Sequence, residues 1–148
     1  MEIECEPERT ADRYAALPLG SDCDCSDCRN FFSAIDLAFD TEFRVLAESL
    51  GTDIRKPTEL THYGKEKLGA HNTGGWFHFV GHIRSRADAW IPHGENSWDQ
   101  AFEKLNGKIE LEFTNRVALV RKPFEGDNLV QLEFGTRVPW VIKEPEAP

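Results

Sequence analysis

A chain of 148 residues, 40% of them hydrophobic and including ten phenylalanines and four tryptophans, is sized for one domain that buries its own core without disulfides. Its 26 Asp+Glu outnumber 17 Lys+Arg, for a formal charge of -9. That balance excludes nucleic acid and membrane surfaces as expected partners, because affinity for either comes largely from basic side chains. The basic runs Arg84-Ser85-Arg86 and Arg121-Lys122 are too short to reverse it.

The segment Met1 to Arg9 is acidic and lacks the apolar stretch of a secretory signal. No segment approaches the 18 or so apolar residues of a membrane span. A cytoplasmic protein with reduced thiols is therefore expected. Residues 1–22 hold Pro7, Pro18 and Gly20 around one short apolar patch, Tyr14–Leu19, and read as an irregular N-terminal arm.

A helical part is expected over residues 23–51. Phe31, Ile35, Phe39, Phe43, Leu46 and Leu50 recur at steps of three and four and so share one face. Ser26 or Asp27 would cap its start, Asp40 could restart it as a second helix, and Gly51 would end it. A β-sheet part is expected over residues 58–142, where the hydrophobic period becomes two. Its strand candidates are Thr58–Tyr63, Trp76–Arg84, residues 108–114, Val117–Val120, Leu129–Phe134 and Val138–Ile142, with a glycine-containing turn across Gly69–Gly75. Residues 143–148 read as a tail. Helices followed by strands predict an α+β fold: an N-terminal helical layer packed on a mainly antiparallel sheet, with one wet sheet face.

Chemistry concentrates at Cys23-Asp24-Cys25-Ser26-Asp27-Cys28. Thiolates spaced C-x-C-x-x-C can chelate a soft metal, and zinc is the first candidate. Asp24 and Asp27 disfavour bare thiolates but favour a bound divalent cation. Only one C-x-x-C unit is present, so the fourth ligand must come from elsewhere. His62, His71, His78, His82 and His93 are the available imidazoles, and Cys5 the remaining thiol. His78 and His82, on the most aromatic strand, are the residues expected to complete the site. A thiol redox enzyme or sensor would use Cys25 and Cys28 instead. Reduced cysteines with no chemistry at a helix start are the third reading.

The stretch from Gly74 to Ile83 places Trp76, His78, Val80 and His82 on one strand face and Phe77, Phe79 and Ile83 on the other. The phenylalanine face is core. The other could line a ligand cleft made by Tyr63, Trp76, His78, His82 and Trp90, or simply carry packed and hydrogen-bonded side chains. No nucleophile elbow, phosphate loop or His-Glu-x-x-His helix is present, and no catalytic residue is assigned.

The ordered set Cys23-Asp24-Cys25-Ser26-Asp27-Cys28-Arg29-Asn30-Phe31, Gly74–Gly81, Leu111–Asn115 and Leu132–Val141 resembles a family of small uncharacterised bacterial proteins, over roughly residues 21–142. The resemblance implies a soluble bacterial single-domain protein and transfers no activity. The expected function is thus a non-enzymatic module with a structural zinc-type site. The alternatives are a thiol redox protein, or an acidic immunity- or regulatory-type domain that binds a basic protein partner. An unpaired strand edge would allow a homodimer.

Overall fold

In the computed structural model, residues 3–84 and 108–146 are described with their side chains, and residues 90–92, 98–100 and 103–104 as short strands. Thirteen consecutive extended residues, His71–Ile83, form β3, the longest strand. Leu129–Val138 (β8) pairs antiparallel along ten of them, from His71 opposite Val138 to Val80 opposite Leu129. The other edge of β3 is shared. Glu59–Lys65 (β2) takes its first half and Ile3–Cys5 (β1) its end, so that His62 lies opposite Thr73 and Cys5 opposite Gly81.

Two glycines permit that sharing. A Cβ on Gly75 would lie 2.0 Å from the Glu59 carbonyl oxygen, and one on Gly81 would lie 2.2 Å from that of Glu4. Beyond β8 the sheet continues through Glu110–Thr114 (β7) to Glu103–Lys104 (β6), antiparallel throughout. Trp90–Pro92 (β4) and Trp98–Gln100 (β5) pair with each other.

The helical layer follows the phenylalanine period. It is broken into Ser26–Ser33 (α2), Ile35–Ala38 (α3) and Thr41–Ser49 (α4). The restart at Asp40 is as expected: its Oδ1 accepts the Phe43 N–H at 3.0 Å. Gly51, with φ +79°, ends α4 and lets the chain pass against the Pro7 carbonyl, 2.1 Å from where a Cβ would sit. Phe31, Phe39 and Phe43 are fully buried and meet Phe77 and Phe134 of the sheet. Phe39 stacks on Phe43 at 4.5 Å and meets Phe134 edge-on at 5.0 Å. The fold is α+β, with the main core between these helices and the sheet. No described helix is long and apolar enough to cross a membrane.

Five expectations are corrected. Residues 3–15 are not an irregular arm: β1 joins the sheet, and Pro7–Ala15 forms a helix, α1. That helix covers the sheet face expected to be wet. Tyr14, Val80 and Phe124 make a second, smaller core there. The Tyr14 hydroxyl donates to the His78 carbonyl at 2.7 Å, and Thr10 Oγ1 accepts the Val80 N–H at 2.9 Å.

Residues 117–120 are loop rather than strand. Ala118 bonds to side chains, donating to Gln131 Oε1 at 2.9 Å and accepting from Trp76 Nε1 at 3.2 Å. After Val138 the chain leaves the sheet at Pro139, which has no N–H for a ladder. Buried Asn30 then holds it, donating to the Pro139 carbonyl at 3.0 Å and accepting from the Val141 N–H at 2.7 Å. The glycine-containing turn is shorter than expected, closing at residues 66–70 before β3 begins at His71.

Two substitutions test this packing. Phe39→Ala removes the ring at the centre of the aromatic cluster and is expected to cost about 3–5 kcal/mol in urea unfolding. Gly75→Ala is expected to push β2 off β3. Amide exchange should accelerate across residues 59–65 while β8 stays protected.

Candidate metal centre

The cysteine turn is built by the start of α2. Cys25, rather than Ser26 or Asp27, is the N-cap: its backbone is extended and its Sγ accepts the Cys28 N–H at 3.5 Å. A cap and the residue three beyond it lie on the same side of the first turn, so the two sulfurs converge. Cys23 reaches the same place from the preceding turn, where the Ser21 hydroxyl donates to its carbonyl at 3.2 Å. All three sulfurs lie within 4.8 Å of one another. Cys23 and Cys25 are exposed, whereas Cys28 is buried at the edge of the main core. All four cysteines are unpaired thiols.

The electrostatics separate two of these thiols. At Cys25, burial acts to raise the pKa. The Cys28 N–H, the neighbouring thiols of Cys23 and Cys28, and the Asp27 N–H outweigh it and hold the thiol below its ordinary value. At Cys28, burial first and then the Cys23 and Cys25 thiols push the pKa far up, with Ser21 opposing. Arg29 anchors the turn from the helix side. It ion-pairs with Asp24 at 3.5 Å and with Glu144 at 2.5 Å. A cleft of about 710 Å³ lies alongside, lined in part by Cys23, Cys28, Phe32 and Glu144.

Among the described residues, the imidazole beside the cluster is His62. Its Nε2 is 3.3 Å from Cys28 Sγ, and its Nδ1 is 3.3 Å from Thr73 Oγ1 on the opposing strand. Burial lowers its pKa, with Asp27 opposing and His71 adding to the depression, so the neutral ring is favoured. Immediately after His62 the β2–β3 register shifts, with Tyr63 bulged out and Gly64 at φ +113°.

His78 and His82, expected to complete the site, do not reach it. Thr73, beside His62, faces the helical layer. His78 is five residues further along β3 and His82 nine. Both separations are odd, which turns His78 and His82 to the face opposite Thr73, and His82 lies about 30 Å of strand away by standard rise, exposed at the β1 end opposite Glu4. His78 is fully buried on the outer side. Its Nε2 lies 2.9 Å from Gln131 Oε1 and its Nδ1 3.4 Å from Thr58 Oγ1.

The expected cleft fares no better at its centre. Tyr63 lies over Gly74 and Trp76 bonds Ala118 on the outer side, but His78, next along that face beyond Trp76, is fully buried beside Tyr14 and Phe124. The Trp90 side chain and His93 lie outside the described residues. Cys5 sits in β1, at the far end of β3 from His62. His71 packs against Trp140 at 5.2 Å and faces Glu146 at 3.6 Å.

Sequence reasoning named His62 only as one of five donors. The signal for it is strand alternation: His62 follows the core residue Leu60 by two and so points at the helical layer. Compared with family models, curated proteins and solved structures, the chain matches none.

His78 generates a pH prediction. Burial, the largest cause, lowers its pKa below the ordinary 6.5; Gln131 opposes this and Arg121 adds to it. The unfolded chain then binds the proton more readily than the folded one. The contribution is present in full above about pH 6.5 and is lost as pH falls below that towards the folded pKa. Thermal melts of His78→Gln, which keeps a donor for Gln131, should show a shallower acid-side loss of stability than the unsubstituted chain.

Proposed function

We propose that this chain is a non-enzymatic module in which Cys23, Cys25 and Cys28 hold a structural divalent ion, zinc above others. The observation that carries the reading is the convergence of three sulfurs within 4.8 Å at a helix start. On a tetrahedral ion with Zn–S distances near 2.3 Å, two sulfurs sit about 3.8 Å apart, so the thiols need only a small inward closure. Soft thiolates favour zinc over the hard cations magnesium and calcium.

A bound cation also reverses the electrostatic difficulty of the turn. The high pKa of Cys28 reflects burial and neighbouring thiols, both of which a divalent charge offsets. Asp24 and Asp27 then become favourable neighbours. The ion would hold the cap residue Cys25 to the core residue Cys28 and so fix the start of α2. A reducing compartment such as the cytoplasm would keep these thiols available.

One observation supports a second reading. Cys25 is exposed with a lowered pKa, directly beside Cys28, as an attacking and a resolving thiol would be.

Elemental analysis of protein purified without chelator, with thiols titrated before and after EDTA, separates the two. The structural-metal reading expects close to one zinc per chain and three thiols that react only after chelation. Metal-free protein with two thiols oxidising reversibly would replace it by the redox reading, and inert thiols without metal would overturn both. With free zinc at about 100 times Kd, binding adds about 2.7 kcal/mol. EDTA should then lower Tm by about 5–10 °C. Cys23→Ser should weaken zinc binding, whereas a cycle between Cys25 and Cys28 would survive it.

A further inference from the structure

Resting on the metal reading above, we infer that His62 is the fourth ligand, and that the ion joins the start of α2 to β2 in a closed site of three sulfurs and one imidazole nitrogen. Its Nε2 already lies 3.3 Å from Cys28 Sγ. Two ligands on one tetrahedral zinc, with Zn–S near 2.3 Å and Zn–N near 2.05 Å, are about 3.5 Å apart. The pair therefore stands at the separation an ion would impose.

The ring is held for that role from behind. Nδ1 is 3.3 Å from the hydroxyl of Thr73, which is itself buried and lies directly opposite His62 in the β2–β3 pairing. A proton on Nδ1 donated to Thr73 leaves the Nε2 lone pair facing Cys28, the arrangement metal-bound histidines generally show. The bulge at Tyr63 follows at once, and bulges of this kind re-aim the side chains beside them. Thr73 is a positioning residue in this arrangement.

The site then has a rigid half and a movable half. Cys28 and His62 are set by the core and the sheet, while Cys23 and Cys25 lie on the exposed turn. Metal capture is the closure of that turn onto a preformed sulfur–nitrogen pair. Three protein sulfurs and one protein nitrogen leave no position for a substrate or water, which makes the centre a staple between layers rather than a catalytic zinc.

Zinc K-edge X-ray absorption on the full chain loaded with one equivalent of Zn(II) tests the inference. The expected spectrum has three sulfurs and one imidazole, and His62→Ala should lose the imidazole scattering. Its zinc affinity should fall by more than the roughly 10–100-fold that follows loss of an outer partner. His62→Cys, which keeps a ligand at that position, should retain zinc with four sulfurs and guards against a His62→Ala variant that fails to fold. Three sulfurs with an oxygen, four sulfurs in the unsubstituted chain, or imidazole persisting in His62→Ala would each overturn the assignment of His62 while leaving the three-cysteine centre standing. Failure of the unsubstituted chain to retain zinc would overturn the metal reading itself.

Discussion

The alternation of side chains along β3 is the constraint on which the rest of this molecule depends. Phe77 and Phe79 must face one way and His78 and Val80 the other, because successive residues of a strand cannot share a face. The helical layer packs on the first set and α1 on the second. A strand buried on both sides needs hydrogen-bonded neighbours along its whole length. β8 supplies them on one edge and β1 and β2 together on the other. Gly75 and Gly81 are the points where any side chain would collide with the neighbouring backbone.

The same alternation sorts the histidines. His78 becomes a neutral, hydrogen-bonded core residue that orders Gln131 and, through it, the loop at Ala118. His62, on the strand next door, points to the opposite side, where α2 brings its first turn down onto the sheet. Even a half-buried imidazole costs stability unless its nitrogens are satisfied. Thr73 and Cys28 together provide partners for both ring nitrogens.

The cysteine cluster depends on both local and distant structure. The helix cap sets Cys25 against Cys28 through contacts confined to four residues. Burial of Cys28 depends on the aromatic core that seats α2, and on Asn30, which fastens the C-terminal segment across the same helix. Arg29 adds ion pairs to Asp24 and Glu144 at the surface. Exposed pairs of this kind contribute little stability. The fixed position of the turn therefore comes mainly from the buried contacts below it.

Much of this was legible from residue order, because it rests on short-range rules. The phenylalanine period from Phe31 to Leu50, the restart at Asp40, the stop at Gly51, the two faces of β3 and the C-x-C-x-x-C cluster all follow from spacings of a few residues. The N-terminal segment was not legible in the same way. Ile3–Cys5 is too short to read as a strand until β3 offers it an edge, and Tyr14 reads only as the start of a short apolar patch until Val80 and Phe124 surround it. The sequence by itself determined the α+β class, the helical core face and the thiols available for chemistry. Only the tertiary structure decided that α1 closes the second sheet face and that His62, rather than His78 or His82, meets Cys28. That choice depends on strand register and on how α2 docks, both set by contacts between residues distant in the chain.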